Sequence, residues 1–567
     1  MPRLLTGVLL GLSLQLPPLA AGAADGVAGP YLAARMAASE FDYEAAASYY
    51  ASALQSDPGN PDFLEQLIVA RLALGDLDRA LPLAAQIDAA GARSQAANIA
   101  VLADLARQED YAAILAELEG GRSLGPLVDG LVRAWAELGA GQMSDAATTF
   151  DSLIADDGMR AFGRYHKALA LASVGDLEGA DAILSGAAEG PLRATRRSVI
   201  AHAEVLSQLE RNPDAVDLIG KAFGDTQDPA IATLTRELAA GAPVPFTVVR
   251  GAREGLAEVF FTIAGAMNGD EPDPYALGYA RMAAAVRPGF TDAILLAAGM
   301  LEAQGQFDLA NAAYNAVPPE DPSFFSAEIG RANVLVRAGK TDAAIEVLQQ
   351  LSKARPEIAM VWTSLGDLFR REQKYAEAVA AYDRAIALLP SEQPGQWGLY
   401  FARGIAHEQL DNLPAADADF LKALELNPDQ PQVLNYLGYS YVERRTNLDE
   451  ALDMIERAVR GEPDNGAIVD SLGWALYRLG RYDEAVVQME RAVELLPSDP
   501  VLNDHLGDVY WAVGRKREAE FQWRRALSFE PNEDTETERI RRKLEVGLDV
   551  VLQEEGAEPL SVSKNGD

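Results

Sequence analysis

The sequence contains no cysteine and only four histidines among its 567 residues. The lack of cysteine excludes disulfides, thiolate zinc sites, iron–sulfur clusters and cysteine nucleophiles. It also excludes the acylated N-terminal cysteine of a bacterial lipoprotein. So few histidines leave little material for a histidine-rich metal centre or a relay of bases. We therefore expect neither a metal nor a cofactor.

Positive charge is scarce, because 49 Lys and Arg stand against 85 Asp and Glu, a formal net charge of −36. A protein that neutralises the phosphates of a nucleic acid needs clustered positive charge. We therefore expect no binding to nucleic acids. Apolar residues make up 49% of the chain, which excludes a disordered protein.

The uncharged apolar run at the N-terminus, Leu4–Leu16, is short. A membrane-spanning helix needs roughly 20 such residues. Arg3 precedes the run and small residues follow it at positions 20–24, which is typical of a cleaved secretory signal. We predict a signal peptide over residues 1–24, cleaved after Ala23 or Ala24, and a soluble exported chain without a membrane span. The alternative is an uncleaved anchor.

Internal repetition dominates the rest of the sequence. In the clearest unit, residues 359–390, large apolar residues fall at positions 4, 7, 11, 17 and 24, small ones at 8, 20 and 27, and proline at 32. Two helical stripes joined by a short turn produce this spacing. About 14 units in the same register extend from near Val27 to Pro531. The sequence therefore predicts an all-α solenoid of paired antiparallel helices.

Glycine at position 15 of the unit gives an independent check on the register. A residue that ends a helix often adopts a left-handed conformation, which glycine reaches without a Cβ clash. We predict that the first helix of the unit ends at these glycines: Gly75, Gly141, Gly175, Gly305, Gly339, Gly480 and Gly514.

The repeat pattern divides the chain into segments. Residues 25–224 form a degenerate N-terminal array, and residues 291–531 form a clearer C-terminal array. Between them, residues 225–290 are rich in Pro and Gly, which interrupt helices. We predict an irregular helical segment or hinge there; the alternative is a repeat with two long loops. Residues 532–555 are predicted to form a capping helix, and residues 556–567 a disordered tail.

No catalytic constellation is visible. The four histidines lie in different units, the acids are spread along the chain, and no nucleophile elbow, phosphate-binding loop or zinc-protease motif occurs. We therefore predict that the chain is not an enzyme and has no catalytic residues.

The repeating unit resembles the tetratricopeptide repeat, a 34-residue helix–turn–helix. That resemblance implies a right-handed superhelix whose first helices line a concave surface. Aromatic and acidic residues at the concave positions would form a cradle for a peptide or a basic protein surface. In the last three units those positions are occupied by Asn435, Tyr439, Asp470, Trp474, Tyr477, Asp504, Asp508 and Trp511. The alternative is that Trp474 and Trp511 fill gaps between neighbouring units.

Residues 430–531 carry a more specific resemblance, in the segments 434–439 (LNYLGY), 470–474 (DSLGW) and 504–508 (DHLGD). They resemble a proteobacterial family of exported tetratricopeptide proteins. In one branch, outer-membrane lipoproteins act as adaptors for a periplasmic carboxyl-terminal processing protease. The resemblance implies a non-catalytic periplasmic scaffold or adaptor that binds other proteins. Two alternatives remain, a component of an envelope-assembly or export apparatus and, last, a glycosyltransferase with a repeat arm.

Overall fold

The computed structural model describes residues 27–187, 190, 192, 194–224, 228–389, 391, 393–531 and 535–557. The predicted signal peptide lies outside these residues, as do Pro390 and residues 558–567 of the predicted tail. Within the described ranges, no helix has the length and hydropathy to cross a bilayer.

The chain divides into two compact units, an N-terminal unit, Met1–Val347, and a C-terminal unit, Leu348–Asp567. The helices that begin in the N-terminal unit are α1 (Ala28–Ser39), α2 (Tyr43–Ser56), α3 (Pro61–Ala73), α4 (Leu77–Ala89), α5 (Gln95–Gln108), α6 (Tyr111–Glu119), α7 (Pro126–Gly139), α8 (Met143–Ala155), α9 (Arg160–Ser173), α10 (Leu177–Leu184), α11 (Arg196–Gln208), α12 (Asn212–Phe223), α13 (Pro229–Ala239), α14 (Ala252–Met267), α15 (Pro274–Val286), α16 (Thr291–Ala303), α17 (Phe307–Tyr314), α18 (Phe324–Arg337) and α19 (Thr341–Ala354).

The C-terminal unit continues in the same way after α19. Its helices are α20 (Ala359–Arg371), α21 (Tyr375–Ala387), α22 (Trp397–Glu408), α23 (Leu413–Leu426), α24 (Pro431–Glu443), α25 (Leu448–Gly461), α26 (Gly466–Arg478), α27 (Tyr482–Leu495), α28 (Pro500–Ala512), α29 (Lys516–Ala526), α30 (Thr537–Val546) and α31 (Leu548–Glu554), with a short 3₁₀ turn at Pro394–Gln396. No β-strand occurs among the residues for which the structure is described. The predicted all-α fold built from helix pairs is confirmed.

Glycine at position 8 lets the two helices of a pair pack closely. In the pairs α20–α21, α22–α23, α24–α25, α26–α27 and α28–α29, a Cβ on this glycine would lie 2.4–2.8 Å from a side chain of the second helix. In α28 the glycine is Gly507, and the side chain above it is Trp523. No larger residue fits without displacing the second helix.

The seven glycines at position 15 all have positive φ, between +72° and +89°, as the left-handed helix ending requires. Where the unit lacks this glycine, another residue takes the same conformation, as Asp411 does at φ +57° between α22 and α23. The predicted ending of the first helix at position 15 is confirmed.

In the N-terminal unit, helices of the same chain cover part of the surface that the first helices form. The helices α14 and α15 pack against α3, α5 and α7, and Ile68, Phe260 and Leu277 are fully buried in their shared core. On α14, a Cβ at Gly255 would lie 2.2 Å from the ring of Trp135 on α7, so the two helices are in close contact. One face of α3, α5 and α7 is therefore covered by helices of the same chain.

The irregular segment predicted over residues 225–290 contains α13, α14, α15 and a non-helical stretch. This stretch is hydrogen-bonded to α11, because the Glu204 carboxylate accepts from the backbone N–H of Thr247 at 2.7 Å and of Val248 at 3.2 Å. The hinge function stays a prediction.

The segment predicted as one capping helix, residues 532–555, forms two helices, α30 and α31. Gly547 separates them with φ +86°, a conformation that ends an α-helix. A Cβ at Gly547 would also lie 2.7 Å from the ring of Trp511. The break therefore lets the chain turn closely beside this indole.

Candidate protein-binding groove

The first helices α22, α24, α26 and α28 of the C-terminal unit line a cavity of about 1070 Å³, together with residues 535–540. We call this cavity the C-terminal groove. Of the predicted concave-face residues, five line it: Asn435, Tyr439, Asp470, Trp474 and Asp504. The other three, Tyr477, Asp508 and Trp511, are not among its lining residues.

Trp474 packs between neighbouring units and also contributes to the groove wall. Its ring stacks on His505 with centroids 4.1 Å apart, and on Tyr477 with centroids 4.8 Å apart. Its Nε1 donates a hydrogen bond to Glu443 at 2.7 Å. Only 9% of the residue is exposed, so most of its surface is covered within the chain and a small part contributes to the groove wall.

Asp470 forms an ion pair with His505 across the interface of α26 and α28. The carboxylate accepts from His505 Nδ1 at 3.0 Å. Burial alone would lower the pKa of His505, but the carboxylates of Asp470, Asp504 and Asp508 outweigh it and raise that pKa. The imidazole therefore keeps its proton to a higher pH than a free histidine does.

Asp504 and Asp508, predicted to face a partner, share a cation from the same chain. Lys543 of α30 places its Nζ 2.7–2.9 Å from both carboxylates, and its side chain is completely buried. Asp508 also accepts a hydrogen bond from Trp523 Nε1 at 2.9 Å. Burial raises the pKa of Asp504, although Lys543 acts in the opposite direction. This cluster fastens α30 onto α28.

The sequence analysis did not predict that Lys543 is buried between Asp504 and Asp508, although the pattern of α30 indicates it. Lys543 lies three residues after Ile540, which is fully buried, so both fall on one face of α30. A lysine on the apolar face of a terminal helix needs a buried partner of opposite charge.

The same arrangement recurs along the groove, because carboxylates of one first helix accept hydrogen bonds from the next element. We call these contacts carboxylate bridges. They are Glu408 with Ser440 Oγ at 2.6 Å, Glu443 with Trp474, Asp470 with His505, and Asp504 with Lys543. Each bridge joins neighbouring units, and a carboxylate retains further lone pairs for a ligand.

The two remaining predicted residues lie in the packed end of the unit. Trp511 donates a hydrogen bond from Nε1 to Asp549 at 3.0 Å, and its ring centroid lies 5.3 Å from that of Trp523. Tyr477 packs against Trp474 and Tyr482. Burial raises the pKa of its hydroxyl well above the ordinary value.

Comparison with known families identifies the repeating unit. Models of the tetratricopeptide repeat match residues 37–105, 329–392, 365–435 and 442–500. The chain contains tetratricopeptide repeats. The groove lies in this repeat array, and its walls are the first helices of consecutive units.

Similarity to individual proteins is confined to segments. A tetratricopeptide repeat-containing protein of Pseudomonas aeruginosa is 28% identical over 182 residues, 32% of this chain and 30% of that protein. The UDP-N-acetylglucosamine–peptide N-acetylglucosaminyltransferase of Giardia intestinalis is 30% identical over 105 residues, 18% of this chain and 7% of that protein. The chain thus spans less than a third of the length of these relatives.

Among solved structures, the APC/C hetero-tetramer Cut9-Hcn1 matches with a TM-score of 0.37 and 17% identity, covering 91% of this chain and 96% of that one. A tetratricopeptide repeat protein of Parabacteroides merdae matches with a TM-score of 0.37 and 18% identity, covering 45% of this chain and 97% of that one.

The described part of the chain contains no group of three or more His, Asp or Glu side chains placed to hold a metal ion. The chemistry that the tetratricopeptide groove offers is hydrogen bonding, charge and aromatic contact.

Proposed function

We propose that the protein is a non-catalytic exported scaffold or adaptor, whose C-terminal groove binds a segment of a partner protein. The observation that carries the proposal is the cavity of about 1070 Å³ between consecutive first helices. Its wall combines the aromatic rings of Tyr436, Tyr439 and Trp474 with carboxylates and an amide. Aromatic residues supply contact area in protein interfaces, and polar groups fix register and orientation.

We assign binding to the C-terminal unit because its groove of about 1070 Å³ exceeds the cavity of about 460 Å³ between the first helices α1 and α3 of the N-terminal unit, and because helices of the chain cover part of the surface there. There α14 and α15 pack on α3, α5 and α7. A partner would have to displace a continuous apolar core to reach those helices. The groove between α22 and α28 needs no such rearrangement.

Export to the periplasm and the adaptor role are parts of the proposal. The leader-like composition of residues 1–24 supports export. The resemblance of residues 430–531 to exported adaptor proteins supports the adaptor role. Export is tested by fractionating a Gram-negative host that expresses the chain with and without residues 1–24. We expect only the full sequence to give a periplasmic product, and a cytoplasmic product from both would contradict export.

Groove binding is tested by selecting a random-peptide display library on the full chain and measuring the affinity of the selected peptides by fluorescence anisotropy. Ala467 is exposed and lines the groove, so Ala467→Tyr adds bulk there without disturbing the core. Ala380 is equally exposed on the second helix α21, so Ala380→Tyr is the matched control.

We expect the selected peptides to bind Ala467→Tyr at least about tenfold more weakly than wild type, and to bind Ala380→Tyr unchanged. If no peptide is enriched, or if both variants bind equally well, the groove is not the binding site.

A further inference from the structure

We infer that the segment bound in the C-terminal groove carries a cationic side chain, Arg or Lys, that enters the groove. This inference rests on the proposed function and names the chemistry of the partner. Three observations carry it: the sign of the lining charge, the internal pairing of the few cations present, and acceptors that have no donor.

The lining is predominantly acidic. Seven of its residues are Asp or Glu, whereas two are Arg and one is His. Charges of one sign that line a concave, low-dielectric wall reinforce one another and raise the local concentration of the opposite charge. The groove therefore attracts cations and repels a carboxylate or phosphate.

Four of the seven lining carboxylates are paired with cations of the chain: Asp470 with His505, Asp504 with Lys543, Glu443 with Arg478 and Glu536 with Arg539. The negative field of the groove therefore comes mainly from the other three, Glu408, Asp411 and Asp499. The two arginines of the lining are themselves held by carboxylates outside it. Arg444 holds the Asp417 carboxylate with two contacts of 2.7 and 3.1 Å. Arg539 holds Glu555 with contacts of 2.7 and 3.2 Å. A bidentate pair uses the donors of the guanidinium fork, so these arginines offer little to an anionic ligand.

Two acceptors of the groove lack a donor. Asp411 is exposed, and its carboxylate makes no hydrogen bond or ion pair with any described residue. Within the described residues, the side-chain oxygen Oδ1 of Asn435 has no hydrogen-bond partner. This oxygen is buried, so a ligand reaches it only if the groove wall moves. A buried polar atom without a partner costs free energy that a ligand with a donor can recover.

Arg and Lys fit these acceptors because their side chains carry several N–H donors and no acceptor. The aromatic ring of Tyr439, which is half-buried in the same wall, suits a cation or its aliphatic stem. A free carboxylate terminus would be a poor ligand, because it carries only acceptors and cannot donate a hydrogen bond to the carboxylates of the groove wall.

The test uses a display-selected peptide and a matched peptide in which each Arg is replaced by citrulline, which keeps the shape and removes the charge. It also uses the double variant Asp411→Asn, Glu443→Gln, in which each new amide keeps an acceptor oxygen. The control is Asp483→Asn, Glu450→Gln, which removes the same charge from exposed residues outside the groove.

We expect Lys or Arg to be enriched in the selected peptides, and citrulline to weaken binding about tenfold. The groove double variant should weaken binding of the Arg peptide by a similar factor, and the control variant should leave it unchanged. The wild-type affinity should also fall as salt is added, because charge attraction is screened.

Selected peptides that lack Lys and Arg, or that bind equally with citrulline, would overturn this inference and leave the proposed function standing. Free arginine amide that binds as tightly as the peptide would also overturn it, because the ligand would then be a small cation. Absence of any selected peptide would overturn both.

Discussion

The buried Lys543 provides the sharpest test of how the C-terminal unit is held together. Its Nζ lies within 2.9 Å of the carboxylates of Asp504 and Asp508, and its side chain is not exposed. The substitution Lys543→Met keeps the length of the side chain and removes the charge. Asp504 is then left buried without its counter-ion, and Asp508 keeps only the Arg539 guanidinium at 3.6 Å. Breaking a buried ion pair in this way costs roughly 3–5 kcal/mol of unfolding free energy.

The loss of unfolding free energy in Lys543→Met should be smaller at low pH than at neutral pH. Without Lys543, burial and the charge of Asp508 raise the folded-state pKa of Asp504 above the unfolded value of about 3.9. A raised carboxyl pKa favours the folded state where the group is protonated, so the defect should be largest near neutral pH and should shrink as the pH falls.

The assay is urea unfolding of the full chain, followed by tryptophan fluorescence, with hydrogen exchange of α28 and α30 amides to show which region opens. The triple variant Lys543→Met, Asp504→Asn, Asp508→Asn should recover most of the loss, because it removes all three charges. Arg541→Met is the control, since it breaks an exposed ion pair with Glu538, which contributes at most about 1 kcal/mol. If Lys543→Met lowers the unfolding free energy no more than Arg541→Met does, the buried contacts of Lys543 do not stabilise the C-terminal unit.

Two further predictions follow from packing and from charge. Gly507→Ala places a methyl group 2.4 Å from Trp523 and should destabilise by about 1–3 kcal/mol. Gly299→Ala, whose methyl would meet no atom within 4 Å, should stabilise by about 0.5–1 kcal/mol; thermal unfolding of both variants distinguishes them, and equal effects would contradict the packing argument. His505→Asn should lower the free energy of unfolding most below about pH 6.5, the unfolded histidine pKa, because Asp470 stabilises the protonated ring. That cost should decline as the pH rises through the raised folded pKa, and urea unfolding across this range would show a constant cost if the ion pair were unimportant.

The local features of the fold could be predicted from the sequence. Helix pairing, the close contact at Gly507 and the left-handed turn at Gly514 all depend on residues within one unit of 34. The period exposes such features because the same physical requirement recurs at the same position many times.

Contacts between residues that are far apart in the sequence could not be predicted from the 34-residue repeat. The packing of α14 and α15 on α3, α5 and α7 joins helices that begin 126 to 213 residues apart (252 − 126 and 274 − 61), and no repeat position encodes it. Asp504 was placed on the inner face of α28 from its register, but its partner Lys543 lies outside the repeats. The sequence therefore predicted two of the seven carboxylates that line the groove, Asp470 and Asp504, and did not predict that they are bridged within the chain.

We propose that a segment of a partner protein occupies the C-terminal groove. Site-specific photo-crosslinking tests this most directly, with a benzophenone side chain at Ala467 in the groove or at Ala380 on α21, in the full chain within its own host. We predict discrete protein adducts from position 467 that the display-selected peptide suppresses, and none from position 380. Equal adducts from both positions, or adducts at 467 that the peptide does not suppress, would contradict the account.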